Sequence, residues 1–297
     1  MITPYLLIRN IRIQNANAMS SPITIGFPAM TAWLGGMHAL ERRLRQREEL
    51  SELHFTRLAV SCQAFDLQTY RGVGDYVDSV IINAKPLRKK KNAFKPAPFI
   101  EEARVHLTVS LLFALARGDR NLQESLIKAI AEELPRMKLA SGDILSFQPP
   151  KEILYQDDED QASDKAILRK LMPGYVVIER RDLLKERMEA GENSVDALLH
   201  FLEIQYQAEK NEDGEVTGWK GKKAEPGWIV PLATGFKGLS PLGRVRFQRD
   251  AETPHRFAES VITLGEFKMA HHFQHVSEIL WEYKYLADEN LYLCTNQ

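Results

Sequence analysis

Cysteine is scarce in this chain of 297 residues, which contains only Cys62 and Cys294. The two residues are far apart and form no CxxC pair, so the sequence excludes a small fold stabilised by a disulfide framework. We expect both thiols to be free, and we expect the chain to function in a reducing, cytoplasmic compartment.

Long hydrophobic runs are also missing. The longest apolar stretch covers residues 105–116 and is interrupted by Thr108 and Ser110, so it is too short to cross a bilayer. The first residues show no basic segment followed by a continuous apolar run, because Arg9 and Arg12 interrupt it. We therefore expect neither a targeting peptide nor a membrane partner.

The chain has no strong charge of either sign, since 39 basic residues oppose 40 acidic ones and the formal net charge is −1. A strongly basic nucleic-acid-binding protein would look different, so any RNA binding must depend on local clusters of charge. The hydrophobic fraction of 44% is enough for one large core or two modest ones.

Hydrophobic periodicity predicts an α+β fold. The predicted order is strand, loop, helix, strand, strand and helix over residues 5–13, 14–21, 31–47, 55–67, 104–115 and 122–134. This order favours a ferredoxin-like, RRM-like antiparallel sheet core that is interrupted by a basic insertion. We predict one globular unit over residues 1–297, with the basic insertion at about 83–100 and a solvated acidic connector at about 149–163.

The C-terminal half gives further predictions. Short apolar runs indicate strands at 175–178, 228–232 and 261–267. Helical spacing indicates helices at 196–210 and 271–281, and the glycines at 235–243 indicate a flexible loop.

The basic insertion is the most prominent local cluster of charge. No acidic residue occurs between Asp78 and Glu101, and the aromatic residue Phe94 lies among the cations Lys85, Arg88, Lys89, Lys90, Lys91 and Lys95. Flexible cations suit contact with phosphates, and an aromatic ring beside them suits an unpaired base. The alternative is a solvated basic loop that has no partner.

A second basic region contains Lys237, Arg244 and Arg246. The spacing of the two arginines predicts that they project from one face of a strand, together with Gln248. The glycine-rich segment before them exposes backbone N–H groups that suit a phosphate, although such segments are also common in ordinary turns.

An amide-rich and hydroxyl-rich segment follows the first predicted strand. Its polar residues are Gln14, Asn15, Asn17, Ser20 and Ser21. Such side chains recognise base edges and sugar hydroxyls in RNA, and they also cap turns through bonds to the backbone. Both uses remain open at this stage.

Motifs for catalysis or for cofactors are missing. His271, His272 and His275 would share a helix, but neither HExxH nor CxxC accompanies them, so we predict no metal site and no cofactor. His38 has no catalytic partner at a defined spacing, and we interpret it as a structural histidine. We therefore predict no catalytic residues.

The segment IRIQNANAMSSPITIGFPAMTAWLGGMHAL, residues 11–40, resembles the N-terminus of one protein family. The features that carry the resemblance are QNANA at 14–18, Ser-Pro-x-Thr at 21–24, GFP at 26–28, and a glycine-bearing helix with a histidine at 31–40. The family is Csy-two, the Cas-five-like subunit of type I-F CRISPR surveillance complexes. The match is specific over about forty residues, and the rest of the chain is compatible with it.

The resemblance implies an RRM-like domain with a thumb-like hairpin that holds the 5′ handle of the CRISPR RNA. It also implies pairing with the large subunit, contact with an adjacent backbone subunit, and indirect contact with target DNA through the complex. In that family other proteins cut RNA and DNA, so the resemblance implies that this chain is not an enzyme.

Two alternatives stay open. In a related family of another CRISPR subtype, the protein cleaves precursor RNA through a metal-independent general base, and His38, Tyr70 or Lys85 would be the candidates here. The second alternative is a protein-only scaffold that contacts other subunits but not RNA.

Overall fold

A computed structural model of the chain describes residues 2–80, 87–90, 93–95, 102–116, 123–157, 161–211, 213–248, 250 and 252–296. No helix within these ranges is both long enough and apolar enough to cross a membrane.

The described part of the chain is dominated by one antiparallel sheet of eleven strands. The strands of this sheet are β1 (Ile2–Asn17), β4 (Phe55–Leu67), β9 (Arg104–Leu115), β10 (Lys138–Leu139), β11 (Gly142–Gln148), β12 (Ile153–Asp157), β13 (Tyr175–Glu179), β16 (Trp228–Gly238), β17 (Ala258–Met269), β18 (Glu282–Leu286) and β19 (Leu291–Thr295). Their order is β10-β11-β1-β9-β4-β13-β17-β16-β19-β18, and β12 pairs with β1 on the same side as β11.

Eight shorter strands form four two-stranded ribbons. They are β2 (Met19–Ser21) with β3 (Thr24–Ile25), β5 (Thr69–Tyr70) with β6 (Ser79–Val80), β7 (Arg88–Lys90) with β8 (Ala93–Lys95), and β14 (Gln205–Lys210) with β15 (Val216–Lys222). The α-helices are α1 (Met30–Leu44), α2 (Gln123–Glu133), α3 (Gln161–Lys170), α4 (Arg181–Glu189) and α5 (Ser194–Leu202). Short 3₁₀ segments cover Glu48–Leu50, Leu134–Arg136, Ala270–His272, Val276–Ile279 and Ala287–Glu289.

The main core lies between α1 and one face of the sheet. The apolar stripe predicted for this helix is confirmed, because Trp33, Met37, Leu40 and Leu44 are all buried. The ring of Trp33 stacks on Phe27 with 5.5 Å between the ring centroids. The helix contacts β4, β10, β16 and β19, so strands from both ends of the sheet order pack around it.

The opposite face of the sheet is covered by α3 and the segment Val276–Ile279. Leu7, Ala59 and Leu112 of the three central strands belong to this second cluster of buried residues. The buried carboxylate of Asp164 in α3 accepts a hydrogen bond of 2.8 Å from the backbone N–H of Val276. This contact ties the two covering segments together.

The α+β class and the central strands are confirmed. Strands occupy Phe55–Leu67 and Arg104–Leu115 at the predicted bounds, and the first predicted strand lies inside β1. The predicted loop over 14–21 is wrong, because β1 continues to Asn17 and β2 follows it. Buried Ala16 pairs with Val105 after a bulge, and this pairing keeps the strand in the sheet.

The solvated connector predicted at about 149–163 is wrong in its centre. Residues 153–157 form β12, which pairs with β1, and Ile153 and Leu154 are buried. The sequence pattern did not indicate this short strand, because prolines precede it and acidic residues follow it. Its apolar residues nevertheless pack into the core. The acidic residues 158–160 lie outside the described residues.

Two predicted helices in the C-terminal half are wrong in part. The helix predicted at 196–210 ends at Leu202, and residues 205–210 form β14, which pairs with β15. The helix predicted at 271–281 is replaced by two 3₁₀ segments. The Asp164 carboxylate and a capping box between His275 and Glu278 hold the second of these segments in place of a continuous helix.

Candidate nucleic-acid interface

The amide-rich segment lies at the end of β1, where the strand bulges. Asn15 adopts a left-handed backbone conformation with φ of 57°, and its N–H donates to Nδ1 of His106. The side chains of Gln14 and Asn15 are exposed. These two amides are therefore presented to solvent and have the chemistry to recognise a base or a sugar hydroxyl.

The other three residues of this segment hold the following turn together. The Asn17 side chain donates to the carbonyl oxygen of Met19 and accepts from its N–H, at 3.0 and 3.2 Å. The hydroxyls of Ser20 and Ser21 lie 2.9 and 2.6 Å from that of Thr24, and Ser21 is buried. The geometry favours the turn-capping use of Asn17, Ser20 and Ser21.

The basic insertion separates β4 from β9. Within it β7 pairs with β8, which places Lys89 opposite Phe94. Lys89, Phe94 and Lys95 are exposed, and the phenyl ring of Phe94 is 69% exposed. Lys85 and Lys91 lie outside the described residues, and Arg88 and Lys90 are described as strand positions only.

Sheet pairing brings the amide-rich segment to the base of the basic insertion. The chain re-enters the sheet at Arg104, which pairs with Asn17, and the N–H of Ala18 donates to the carbonyl of Ala103 at 3.0 Å. The chain leaves the sheet at Leu67, which pairs with the neighbouring Val105. The amide-rich segment and the base of the basic insertion, which are distant in sequence, therefore lie at the same end of the central strands.

The second basic region differs from the prediction. Lys237 lies within β16, opposite Glu259 of β17, because Gly235–Gly238 continues the strand and does not form a flexible loop. In the sheet order, four strands separate β16 from β1. Lys237 is thus held on regular backbone and not on the glycine-rich phosphate loop that we predicted.

Arg244 and Arg246 lie in an irregular segment that turns at 246–247, so the strand predicted at 244–248 is wrong. The side-chain oxygen of Gln248 accepts a 2.8 Å hydrogen bond from the N–H of Val245 and closes the turn. Phe247 has φ of 62°, and the guanidinium of Arg246 lies over its ring at 4.8 Å from the centroid. Both arginines are exposed.

The three histidines are not placed on one helical face. His271 stacks on His272, whereas Nδ1 of His275 lies 3.2 Å from Oδ2 of Asp164. Among the described residues, no group of three or more His, Cys, Asp or Glu side chains is positioned to hold a metal ion.

A polar row that we did not predict lies on the face of the sheet opposite α1. Arg12 of β1 pairs with Ser146 on one side and with Thr108 on the other, and Arg12 and Ser146 are exposed. The signal was present in β9, where Arg104, His106, Thr108 and Ser110 alternate with buried apolar residues. We had not used this alternation to assign the polar face.

Two comparisons with known proteins identify the family of this chain. A family model described as CRISPR-associated protein (Cas_Csy2) matches residues 6–294. The chain is also 31% identical over 312 residues to CRISPR-associated protein Csy2 of Pseudomonas aeruginosa (strain UCBPP-PA14), covering 97% of this chain and 93% of that protein. The match extends far beyond the forty residues on which the resemblance was based. The chain belongs to the Csy2 family of CRISPR-associated proteins.

Proposed function

We propose that this chain is a non-catalytic RNA-binding subunit of a type I-F CRISPR surveillance complex. It holds the 5′ handle of the CRISPR RNA and pairs with the large subunit in antiviral defence. The observation that carries the proposal is the shared end of β1, β4 and β9, where exposed amides meet the base of the basic insertion. Family membership supplies the biological setting.

The RRM-like architecture belongs to this proposal. The elements β1, α1, β4, β9, α2 and β11 follow the β-α-β-β-α-β order of ferredoxin-like domains. Their strands are adjacent in the order β11-β1-β9-β4, and α1 and α2 pack together against one face. In this interpretation the basic insertion between β4 and β9 is the thumb-like hairpin.

The chemistry of the shared end suits a single-stranded handle. Lys89 and Lys95 offer exposed ammonium groups to backbone phosphates, and Phe94 offers a ring on which an unpaired base stacks. Gln14 and Asn15 supply donors and acceptors for base edges and 2′-hydroxyls. Arg244 and Arg246 would extend the contact to further phosphates.

The absence of catalysis is also part of the proposal. The ring of His38 packs edge-on against Tyr283, with 4.5 Å between the centroids, and this contact gives the histidine a packing role. Tyr70 lies on the separate ribbon of β5 and β6 and is 61% exposed. Incubating pure protein with handle-containing RNA in the absence of metal tests this point. We expect intact RNA, and site-specific cleavage that is lost in His38→Ala would contradict it.

Co-purification tests the RNA-binding assignment. The chain is expressed with and without a large-subunit neighbour and a guide RNA, and the bound RNA is measured across a salt series. We expect a stoichiometric heterodimer that retains RNA in a salt-sensitive manner. A chain that purifies with neither RNA nor partner would overturn the proposal.

Charge removal in the insertion sharpens this test. Replacing Lys89, Lys90 and Lys91 together with alanine removes three cations from the proposed thumb. We expect weaker guide retention and a smaller dependence on salt, by up to about three in the slope of log K against log salt concentration. The matched control replaces Lys220, Lys222 and Lys223 of the β14–β15 region, which removes the same charge elsewhere. Equal losses in both variants would indicate a nonspecific effect of charge and not a thumb.

A further inference from the structure

The strand beside β1 is split in two, and the split opens a groove. Gln148, the last residue of β11, pairs with Arg9, whereas Ile153, the first residue of β12, pairs with Leu6. The four residues between them include Pro149 and Pro150, which lack the N–H groups needed to continue the ladder. A groove of about 510 Å³ lies at this gap, and its lining includes Arg9, Lys151, Glu152 and Lys170. We call it the split-strand groove.

A bulge in β1 directs Arg9 towards this groove. Ile8 pairs with Leu111 and Ile11 pairs with Val109, so Arg9 and Asn10 together lie opposite Ser110. Asn10 takes a left-handed conformation with φ of 51°, and its N–H donates to the Ser110 hydroxyl. Bulges of this kind reorient one side chain, and they are frequent beside functional sites.

Arg9 is buried in part but has no partner in the described part of the chain. Its Nε atom is buried, and no described residue accepts a hydrogen bond from it. An unsatisfied buried donor on a charged group is costly, and in native structures such a donor calls for an explanation such as a bound water, an ion or a ligand. Arginine also presents a planar fork of donors that matches the oxygens of a phosphate.

The balance of charge in the groove is positive. The carboxylate of Glu152 lies 3.1 Å from the ammonium of Lys170, and this ion pair leaves Arg9 and Lys151 without a described counter-charge. Arg12 lies three residues along the same strand and is exposed. A chain with a formal net charge of −1 therefore concentrates unpaired cations at one gap in its sheet.

We propose that the split-strand groove binds a backbone phosphate of the guide RNA. The inference rests on the RNA-binding function proposed above and adds a site that is separate from the thumb. The groove is open and has room for a phosphodiester, and the polar row through Arg12, Ser146 and Thr108 extends it across the sheet. That row gives a nucleic-acid backbone further hydrogen-bonding groups beyond the first phosphate.

The direct test combines a substitution in the protein with the neutralisation of one phosphate in the RNA. Comparing the single and combined changes measures whether the side chain and the phosphate interact. The full chain, purified with its neighbouring subunit, is titrated with guide RNAs in which one phosphate at a time is a neutral methylphosphonate. The proteins are the parent, Arg9→Gln and Lys151→Ala, with Lys138→Ala as the control. Lys138 is an exposed lysine on β10 that is paired with Asp143 and does not line the groove.

We expect Arg9→Gln and Lys151→Ala each to weaken RNA binding about tenfold at low salt, with a salt slope smaller by about one. One methylphosphonate position should weaken binding to the parent and have no further effect on Arg9→Gln. Lys138→Ala should match the parent. Arg9→Lys, which keeps the charge, should retain part of the affinity, and a thermal melt of each variant checks that it is folded.

Other outcomes overturn the inference in distinguishable ways. If the parent binds RNA and both groove variants bind it equally well, the groove holds no phosphate and the proposed function stands. If the variants keep their RNA but lose the neighbouring subunit, the groove receives an acidic protein segment. If the parent binds no RNA, the groove proposal and the proposed function both fail.

Discussion

Cys62 and Cys294 are both buried, and burial raises the pKa of each thiol to about 12. For Cys294 the nearby carboxylate of Glu179 raises the pKa further. A thiol must ionise before it attacks a disulfide reagent, so both residues should be inert in the folded protein. The free thiols expected from the sequence are therefore structural residues.

Titration with a thiol reagent at about pH 8 tests this prediction, since an ordinary cysteine ionises substantially near that pH. We expect almost no reaction in the native protein and two equivalents in denaturant, in keeping with the two cysteines of the chain. A fast native reaction of either residue would contradict the burial of both thiols.

Glu179 gives a prediction for the pH dependence of stability. Burial raises the pKa of its carboxyl group, although Arg181 and the hydroxyl of Thr295 act in the opposite direction. Its contribution to stability is full below the pKa of the unfolded chain and is lost as the pH rises through the higher folded-state pKa. Glu179→Gln should therefore gain stability relative to the parent as the pH rises above about 4, the ordinary pKa of a glutamate.

Urea unfolding of Glu179→Gln and of the parent at several pH values measures this difference directly. Parallel profiles for the two proteins would show that the carboxyl group titrates normally, which would contradict the prediction.

At the scale of elements, a side-chain Cβ atom fits at one glycine and does not fit at another. A Cβ atom added at Gly35 of α1 would meet no atom within 4 Å, whereas one added at Gly235 of β16 would overlap the carbonyl oxygen of Tyr292 in β19. Gly35→Ala should stabilise the protein by about 0.5–1 kcal/mol, because alanine favours a helix over glycine. Gly235→Ala should destabilise it by at least about 1–3 kcal/mol, because backbone atoms must move.

Chemical denaturation of both variants checks this pair of predictions, and each variant controls for the other as a Gly-to-Ala change. A loss of stability in Gly35→Ala or no loss in Gly235→Ala would contradict the packing described for these elements.

The strands and helices with strong local patterns could be predicted from the sequence. The strands Phe55–Leu67 and Arg104–Leu115 and the stripe of α1 follow from apolar spacing alone. The ends of elements are decided by contacts with residues that are distant in sequence. The Asp164 carboxylate binds the backbone N–H of Val276 and so prevents a continuous helix over 271–281. No pattern in the surrounding prolines and acidic residues indicates that 153–157 pairs with β1.

The candidate site was also predictable only in part, because its assembly depends on contacts between residues that are distant in sequence. Local composition identified the basic insertion and the exposed amides, but only the pairing of Asn17 with Arg104 brings them together. Arg9 and Arg12 were noted only as interruptions of an apolar run. Their position beside a gap in the sheet depends on β11 and β12, which lie more than 130 residues later.

At the scale of the whole molecule, basic and acidic residues are nearly equal in number, so the positions of the charges matter more than the net charge. The chain is almost neutral, yet within the described ranges Lys89, Lys95, Arg9 and Arg12 have no ion pair, whereas Lys170 pairs with Glu152 and Arg104 pairs with Glu102. A sheet packed around α1 fixes the relative positions of these surfaces. We therefore predict specific binding that depends on where the charges lie.

Binding of end-labelled RNA to the chain and its neighbouring subunit tests the central claim most directly. One RNA carries the 5′ handle and a second carries a scrambled handle of the same length and composition, and both the bound fraction and the integrity of the RNA are measured without metal. We predict tighter binding of the intact handle and no cleavage of either RNA. Equal affinity for both RNAs, or cut product from the handle, would contradict it.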